Sequence, residues 1–140
     1  MRTALKVLIA AVSAASLIAL AAALLLFPVP ASFGVGGVVF WTIATMASSA
    51  SPIRLPRGTQ VSVSGSAILA AGALGGPAAA GIVAAIGTAE ARELRGEVPW
   101  YGTLYNHAVL ILPAIAAAAV YQLGPYGTAA RKLDEWSFKP

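Results

Sequence analysis

The amino-acid sequence predicts an all-α, polytopic integral membrane protein, and three observations support this fold class. Hydrophobic residues make up 59% of the chain and charged residues only 10%, whereas in soluble domains about 25% of residues are charged. The long apolar runs contain no carboxylate, as expected where a charge in hydrocarbon costs roughly 2.5–3.5 kcal/mol. Prolines and glycines separate these runs into segments that suit membrane helices.

We expect a single transmembrane domain at residues 1–123, followed by a short polar, basic tail at 124–140. The first apolar run follows Arg2 and Lys6, and at about 1.5 Å per residue it covers roughly one hydrocarbon core. A cleaved signal peptide is the alternative, but its apolar region is usually only about 7–15 residues long. The expected helices are residues 7–27, 34–50, 62–75, 77–95 and 102–123.

The sequence Gly75-Gly76-Pro77 predicts a break between the third and fourth of these helices. Glycine suits the position after a helix, and proline suits the first helical turn. The alternative is a bundle of four helices, one of them kinked at these residues. The preceding Val61-Ser62-Val63-Ser64 alternates apolar and polar residues, which predicts either an extended segment lining a cavity or the first turn of the next helix.

Small side chains at helical spacing predict close helix packing. They lie on both sides of the break, so that backbones can approach one another there. We therefore expect contacts with neighbouring helices, with the lipid bilayer and with another membrane subunit or a second copy of the chain. The predicted packing residues are Gly72, Gly76, Gly81, Ala84 and Thr88.

Reactive side chains are scarce, which predicts that the protein is not an enzyme. The chain has one histidine and no cysteine, so thiol catalysis, disulfides and thiolate metal sites are excluded. No pair of carboxylates lies inside an apolar run, and we expect neither a metal ion nor a cofactor. The net charge of +4 comes from basic residues near the ends of apolar runs, which indicates membrane topology rather than nucleic-acid binding.

A polar cluster near the start of the last helix is the candidate ligand site. It could hydrogen-bond a small ligand, or sense pH through its histidine, since histidine changes charge between about pH 5 and 8. The structural interpretation is an aromatic belt at the membrane interface with one interhelical hydrogen bond from the asparagine. The candidate residues are Trp100, Tyr105, Asn106, His107 and Glu90, with Tyr101 and Glu93 beside them.

Six short features occur in a recognisable order: Leu55-Pro56-x-Gly58, Val61 to Ser64, Gly76-Pro77 between two helices, a charged turn, Trp100, and Asn106 at the start of the next helix. In this order the chain resembles the membrane-spanning amino-terminal region that precedes HD-GYP-type phosphohydrolase and diguanylate cyclase domains in bacteria. It also looks like the substrate-binding S components of energy-coupling-factor vitamin transporters. Either resemblance implies a non-catalytic module of the bacterial cytoplasmic membrane.

The expected function is that of a sensory or regulatory membrane module without its output domain. A small-solute binding subunit of a transporter is the first alternative, and it predicts a closed pocket lined by residues 61–66 and Asn106. A purely structural membrane protein is the second. With the amino terminus inside, both helix counts place most lysines and arginines in the cytoplasm, so charge does not decide between four and five helices.

Overall fold

The computed structural model describes residues 3–51, 53–54 and 60–124 of the chain. The residues Leu55, Pro56 and Gly58, which belong to the first motif of the family resemblance, lie outside this range, as does the predicted tail beyond Gly124. In chain order the elements are α1 (Thr3–Leu26), α2 (Gly34–Ala50), β1 (Ile53–Arg54), β2 (Gln60–Val61), α3 (Ser64–Gly87), α4 (Ala91–Leu94) and α5 (Trp100–Leu123).

Helices dominate the described residues, which confirms the predicted all-α class. Three of them, α1, α3 and α5, are 24 residues long and, judged by length and composition alone, apolar enough to cross a membrane. At 17 residues, α2 is shorter. These lengths fit a helical membrane bundle.

The five predicted helices are not supported, because the described part of the chain has four long helices and the single turn α4. The helix expected at 77–95 ends at Gly87. Beyond it the chain turns, with the Ala89 N–H donating to the Ile86 carbonyl at 3.2 Å. The carboxylate of Glu93 accepts the Glu90 backbone N–H at 3.3 Å, which is half of a capping box and starts a new helical turn.

Helix α3 is broken at its middle, at the predicted glycine pair. Gly76 has φ 81° and ψ −176°, a conformation open to glycine and costly for other residues. A β-carbon placed on Gly72 would lie 3.2 Å from the β-carbon of Ala80. In a straight helix, residues eight apart are separated by about 12 Å along the axis. The two halves of α3 are therefore folded back against each other.

The folded-back α3 lies between α2 and α5. Its first half runs beside α5, where a β-carbon on Gly72 would lie 2.9 Å from that of Ala118. From its tip onward α3 follows α2, since Gly75 at the tip lies next to Phe33 and Gly87 at the end of the second half lies next to Thr45. Both ends of α3 consequently lie at the end of the bundle where α2 ends and α5 begins. We call this the polar end.

Helix α1 packs on α5 and runs in the same direction. The Ser16 hydroxyl donates to the Ala108 carbonyl at 2.7 Å. Farther along both helices, Leu20 and Ile115 approach the β-carbon position of Gly81 to 2.7 and 3.0 Å. The start of α1 therefore lies on the same side as the polar end.

Small residues of α3 and α5 form the core of the bundle. Larger side chains from α1 and α2, including Leu20, Phe33 and Trp41, cover this core from outside. Because the core side chains are short, the helix backbones approach closely, as in other membrane bundles. The core residues are Ile68, Ala71, Ala80, Val83, Ala84, Ile111, Ala114 and Ala118.

A two-residue antiparallel ladder precedes α3, pairing Ile53 with Val61 and Arg54 with Gln60. Val61 is thus extended, whereas Ser64 already begins α3. Each of the two alternatives for residues 61–64 therefore describes part of the segment. The ladder brings the chain across the polar end before α3 begins.

Candidate functional site

His107, on the second turn of α5, uses both nitrogens of its ring. Its Nδ1 lies 2.7 Å from the carbonyl oxygen of Ala85 and 3.1 Å from the hydroxyl of Thr88. Its Nε2 lies 3.0 Å from Oε2 of Glu93. The imidazole therefore joins α5 to the end of α3 and to the turn that follows α3.

The partners of the ring fix where its protons lie. A carbonyl oxygen only accepts hydrogen bonds, so Nδ1 carries a hydrogen that it donates to Ala85. Nε2 and the Glu93 carboxylate would both be acceptors without a further proton between them. A separation of 3.0 Å thus requires one shared proton, held either by an imidazolium or by a protonated carboxyl group. We call these two side chains the Glu93–His107 pair.

The local chain geometry brings Glu93 to this position. Gly96 has φ +70°, and its N–H donates to the Glu93 carbonyl at 3.0 Å, while the Glu97 N–H donates to the Arg92 carbonyl at 2.9 Å. These two bonds form a Schellman motif, which ends α4 after one turn. Because α4 is closed at both ends, it holds the Glu93 side chain in place.

Both side chains of the pair are largely shielded from solvent. The exposed fraction is 17% for the His107 side chain and 7% for that of Glu93. Removing one partner of a buried pair of this kind leaves a polar or charged group without compensation, which costs about 3–5 kcal/mol. By contrast, Arg92 and Glu97 in the same turn are 3.6 Å apart and well exposed, so their ion pair adds little stability.

A cavity of about 220 Å³ adjoins the pair at the polar end. Its walls come from α2, the segment before α3, α3, the 88–99 turn and α5. Most of the lining side chains are polar, and two apolar residues of α5 complete the wall. We call it the polar cavity, and its lining residues are Ser49, Ser62, Ser64, Thr88, Glu90, Glu93, Asn106, Val109 and Leu110.

Three of the five candidate ligand residues come together at this place. Glu90 and Asn106 line the polar cavity, and His107 contacts its wall through Thr88 and Glu93. Trp100 and Tyr105 do not line it. Trp100 is 76% exposed and packs edge-to-face on Tyr101, with ring centroids 5.9 Å apart.

The candidate packing residues are all buried in α3 or directly after it. Gly72 faces Ala118, and Gly81 faces Leu20 and Ile115. Gly76 and Ala84 are also buried. Thr88 has a further role, because its hydroxyl donates to the Ala84 carbonyl at 2.7 Å and also contacts His107.

Sequence reasoning missed Ala85 and Ser49 and assigned Thr88 to packing alone. Ala85 contributes through its backbone carbonyl, which leaves no trace in the side-chain sequence. Thr88 does carry a signal, since it is a hydroxyl residue one turn after Ala84 at a buried helix end. Such a residue can satisfy its helix and a second partner at once.

The arrangement can hold one proton and offer hydrogen bonds to a small solute. Within the described residues, no three His, Cys, Asp or Glu side chains come together as metal ligands. The described partners of the His107 ring are Thr88, Ala85 and Glu93, and the serines of the cavity wall are not among them.

The resemblances to signalling membrane regions and to transporter S components stay predictions, and function has to be inferred from the site itself. No protein-family model, no curated protein and no solved structure matches this chain.

Proposed function

We propose that this chain is a non-catalytic, multi-pass membrane module with a sensory or regulatory role, and that the Glu93–His107 pair is its responsive element. One observation carries the proposal: the largely buried side chains of a histidine and a glutamate lie 3.0 Å apart, at hydrogen-bonding distance, in an otherwise apolar bundle. Ionisable groups in such surroundings are expensive and usually functional. The pair also fastens the 88–99 turn to α3 and α5, so its protonation can set the position of that turn.

The charge distribution supports a cytoplasmic location for the polar end. Among the described residues, Lys6, Arg54, Arg92 and Arg95 belong to α1 or to segments at this end. Of the described segments at the opposite end, residues 27–33 and 75–77 carry no charge. Positive charge accumulates on the cytoplasmic side of membrane proteins. We accordingly infer a bacterial cytoplasmic membrane protein whose sensory site faces the cytoplasm.

In this topology α3 is a re-entrant hairpin. Each half has about 11–12 residues and is roughly 17 Å long, much shorter than a hydrocarbon core of about 30 Å. Irregular backbone such as that at Gly76 is tolerated in membranes when protein surrounds it, and Gly76 is buried. The amino terminus and the end of α5 would then lie on opposite sides of the membrane.

The pH dependence follows from the shared proton. With one proton, the Glu93–His107 contact is satisfied. If this proton is removed at high pH, the Glu93 carboxylate faces the lone pair of Nε2. If a second proton is added at low pH, the shielded imidazolium has no counter-ion. Glu90 is the other titratable residue on the described cavity wall. The 88–99 turn is therefore expected to be most tightly held at intermediate pH and released at both extremes.

A nitroxide attached to the turn would test this proposal. The chain has no cysteine, so Arg95→Cys, at an exposed position, provides a single labelling site. In proteoliposomes, we expect spin-label mobility to be lowest at intermediate pH and to rise on both sides. Glu93→Gln should abolish the rise at high pH alone, because an amide can donate to the neutral ring.

Glu97→Gln is the matched control, because Glu97 lies in the same turn, is exposed and pairs with Arg92 rather than His107. It should leave both arms of the mobility profile unchanged. If the label at position 95 showed the same mobility at every pH, or if Glu97→Gln altered the profile as strongly as Glu93→Gln, the pair would be structural and the sensory role would be wrong.

The polar cavity favours a second candidate, a small-solute binding subunit of a transporter. Ser62, Ser64 and Asn106 line the cavity, as that function predicts for residues 61–66 and Asn106. A binding subunit would bind solute with little response of the turn to pH. A partner membrane subunit or a second copy would then be required, and the exposed apolar faces of α1 and α2 are available for it.

A further inference from the structure

We propose that the polar cavity binds a small organic cation, consisting of an ammonium group on a short chain. This inference rests on the proposed function, since it names the ligand class of the same site. Three properties of the cavity carry it: the charge of its walls, the direction of their hydrogen bonds, and its size together with its apolar side.

The described walls of the cavity carry negative charge without a basic side chain. Glu90 and Glu93 line it, and no lysine or arginine of the described residues does. Glu93 is compensated by the proton that it shares with His107. Arg92 pairs with Glu97 in the exposed part of the turn. The carboxylate of Glu90 remains, and its single negative charge matches a monovalent cation.

The hydroxyl groups of the cavity wall offer a ligand more hydrogen-bond acceptors than donors. The Thr88 hydroxyl donates its proton to the Ala84 carbonyl at 2.7 Å. The hydroxyls of Ser62 and Ser64 are 2.9 Å apart and use one of their two protons between them. Each of these hydroxyl oxygens has two lone pairs, of which one is used by the Ser62 hydroxyl at Ser64, by the Ser64 N–H at Ser62 and by the His107 ring at Thr88. Three lone pairs are then left against one hydroxyl proton, so these hydroxyls can accept more further hydrogen bonds than they can donate. An ammonium group, which has up to three donors and no acceptor, complements such a wall.

The size of the cavity and its apolar side indicate an organic cation rather than a bare ion. A volume of about 220 Å³ corresponds to roughly seven water molecules at about 30 Å³ each. Val109 and Leu110 form one side of it, which suits methylene groups. The candidate is therefore a primary ammonium on a chain of a few carbons.

Three probes of nearly equal size and different charge test the ligand class: 3-amino-1-propanol, 1,3-propanediol and 3-hydroxypropionate. Their binding to the full chain in detergent micelles is measured by isothermal titration calorimetry at constant ionic strength and intermediate pH. We expect the amine to bind and the diol and the acid not to bind. Glu90→Gln should weaken binding of the amine by about tenfold or more, which corresponds to about 1.4 kcal/mol.

Glu97→Gln removes the same charge from the same turn without touching the cavity and should leave the affinity for the amine unchanged. Asn106→Ala, at an exposed position on the wall, provides a second variant that should weaken binding. If the diol or the acid bound as tightly as the amine, the proposed preference for a cation would be wrong, although the cavity would still be a solute-binding site.

The inference would be wrong if none of the three probes gave a heat of binding at concentrations up to about 100 mM, since such concentrations detect even very weak binding. It would also be wrong if Glu97→Gln caused an equal loss of affinity. Neither result touches the sensory proposal, because spin-label mobility at position 95 is measured without any ligand. In the converse outcome, the amine binds but the spin-label mobility does not change with pH. The cavity would then be a binding site, and the sensory proposal would be wrong.

Discussion

Helices α1 and α3 have the same length, 24 residues each, and both are apolar enough to cross a membrane, yet they occupy opposite environments. In their most apolar windows, 22% of α1 but 72% of α3 is buried inside the protein. The more hydrophobic helix, with a mean hydropathy of 2.5 against 1.8, is the one on the outside. Hydropathy therefore does not decide which of the two is buried.

Side-chain size does explain the difference. Large side chains cover the outside of α1, where Leu17, Ile18 and Leu25 are 62–83% exposed. The buried residues of α3 are mostly glycine and alanine. Lipid tails are as apolar as leucine, so burial in protein brings no hydrophobic gain over lipid. Close backbone contact between small residues provides the gain in van der Waals packing instead.

The largest expected effect comes from enlarging a buried glycine of α3. In Gly81→Leu, even the first added carbon would lie 2.7 Å from Leu20 and 3.0 Å from Ile115. Overpacking of this kind costs about 1–3 kcal/mol or more, and we expect a value at the upper end because α1 and α5 would both be displaced. The measurement is the free energy of unfolding in mixed detergent and lipid micelles.

Gly65→Leu is the matched control for this change, because Gly65 lies in the same helix and has no atom within 4 Å of its β-carbon position. It should change the free energy of unfolding by less than about 0.5 kcal/mol. Equal losses for the two variants would show that α3 is not packed against α1 and α5 as described.

The next effect concerns the backbone at the tip of α3. Gly76→Ala places a side chain where φ is +81° and would bring its β-carbon to 2.5 Å from the side-chain nitrogen of Gln122. Strain of this type costs about 1–3 kcal/mol, and the same unfolding measurement should detect it. Gly36→Ala, in α2 with an open β-carbon position, should not destabilise the protein. A stable Gly76→Ala variant would indicate a straight α3 instead.

The smallest effect concerns the hydrogen bond that ties α1 to α5. Ser16 is 1% exposed, and its hydroxyl reaches both the Ala108 carbonyl at 2.7 Å and the Val12 carbonyl at 2.8 Å. Interhelical hydrogen bonds in membranes contribute about 0.6 kcal/mol on average and up to about 1.7, so Ser16→Ala should lose roughly 1 kcal/mol.

Ser48→Ala removes a hydroxyl that bonds to the Ala44 carbonyl of its own helix, and its loss should be smaller than that of Ser16→Ala. The difference between the two variants in free energy of unfolding measures the tie between α1 and α5. A value of zero would mean that packing alone holds α1 in place.

The features that the sequence predicted correctly depend on local chemistry. Apolar runs predict helices, and Gly76 followed by Pro77 predicts the break, because both residues restrict the backbone wherever they occur. The end of α3 at Gly87 was not predicted. Residues 88–95 could continue a helix by propensity. The turn that forms there is held by local hydrogen bonds, such as that from the Glu90 N–H to the Glu93 carboxylate, and by the contact of Glu93 with a histidine 14 positions away. Such a contact exists only after the helices have packed.

In the candidate site, too, some features follow from local sequence and others depend on helix packing. Asn106, His107 and Glu90 were predicted as a polar cluster because they lie near the membrane interface in sequence. The contribution of the Ala85 carbonyl and the double role of Thr88 depend on α3 folding back beside α5. Polarity could therefore single out side chains that lie together, whereas the geometry of the cluster required the tertiary structure.

The folded-back α3 also constrains the order in which the protein is assembled. During synthesis α3 leaves the ribosome before α5, yet the surface that buries its first half, including Ala114 and Ala118, belongs to α5. Its halves, each roughly 17 Å long, are too short to remain in lipid as stable spans. If α3 is the re-entrant hairpin that we propose, we expect it to take its final position only after α5 has been inserted, and thus to mature last among these helices.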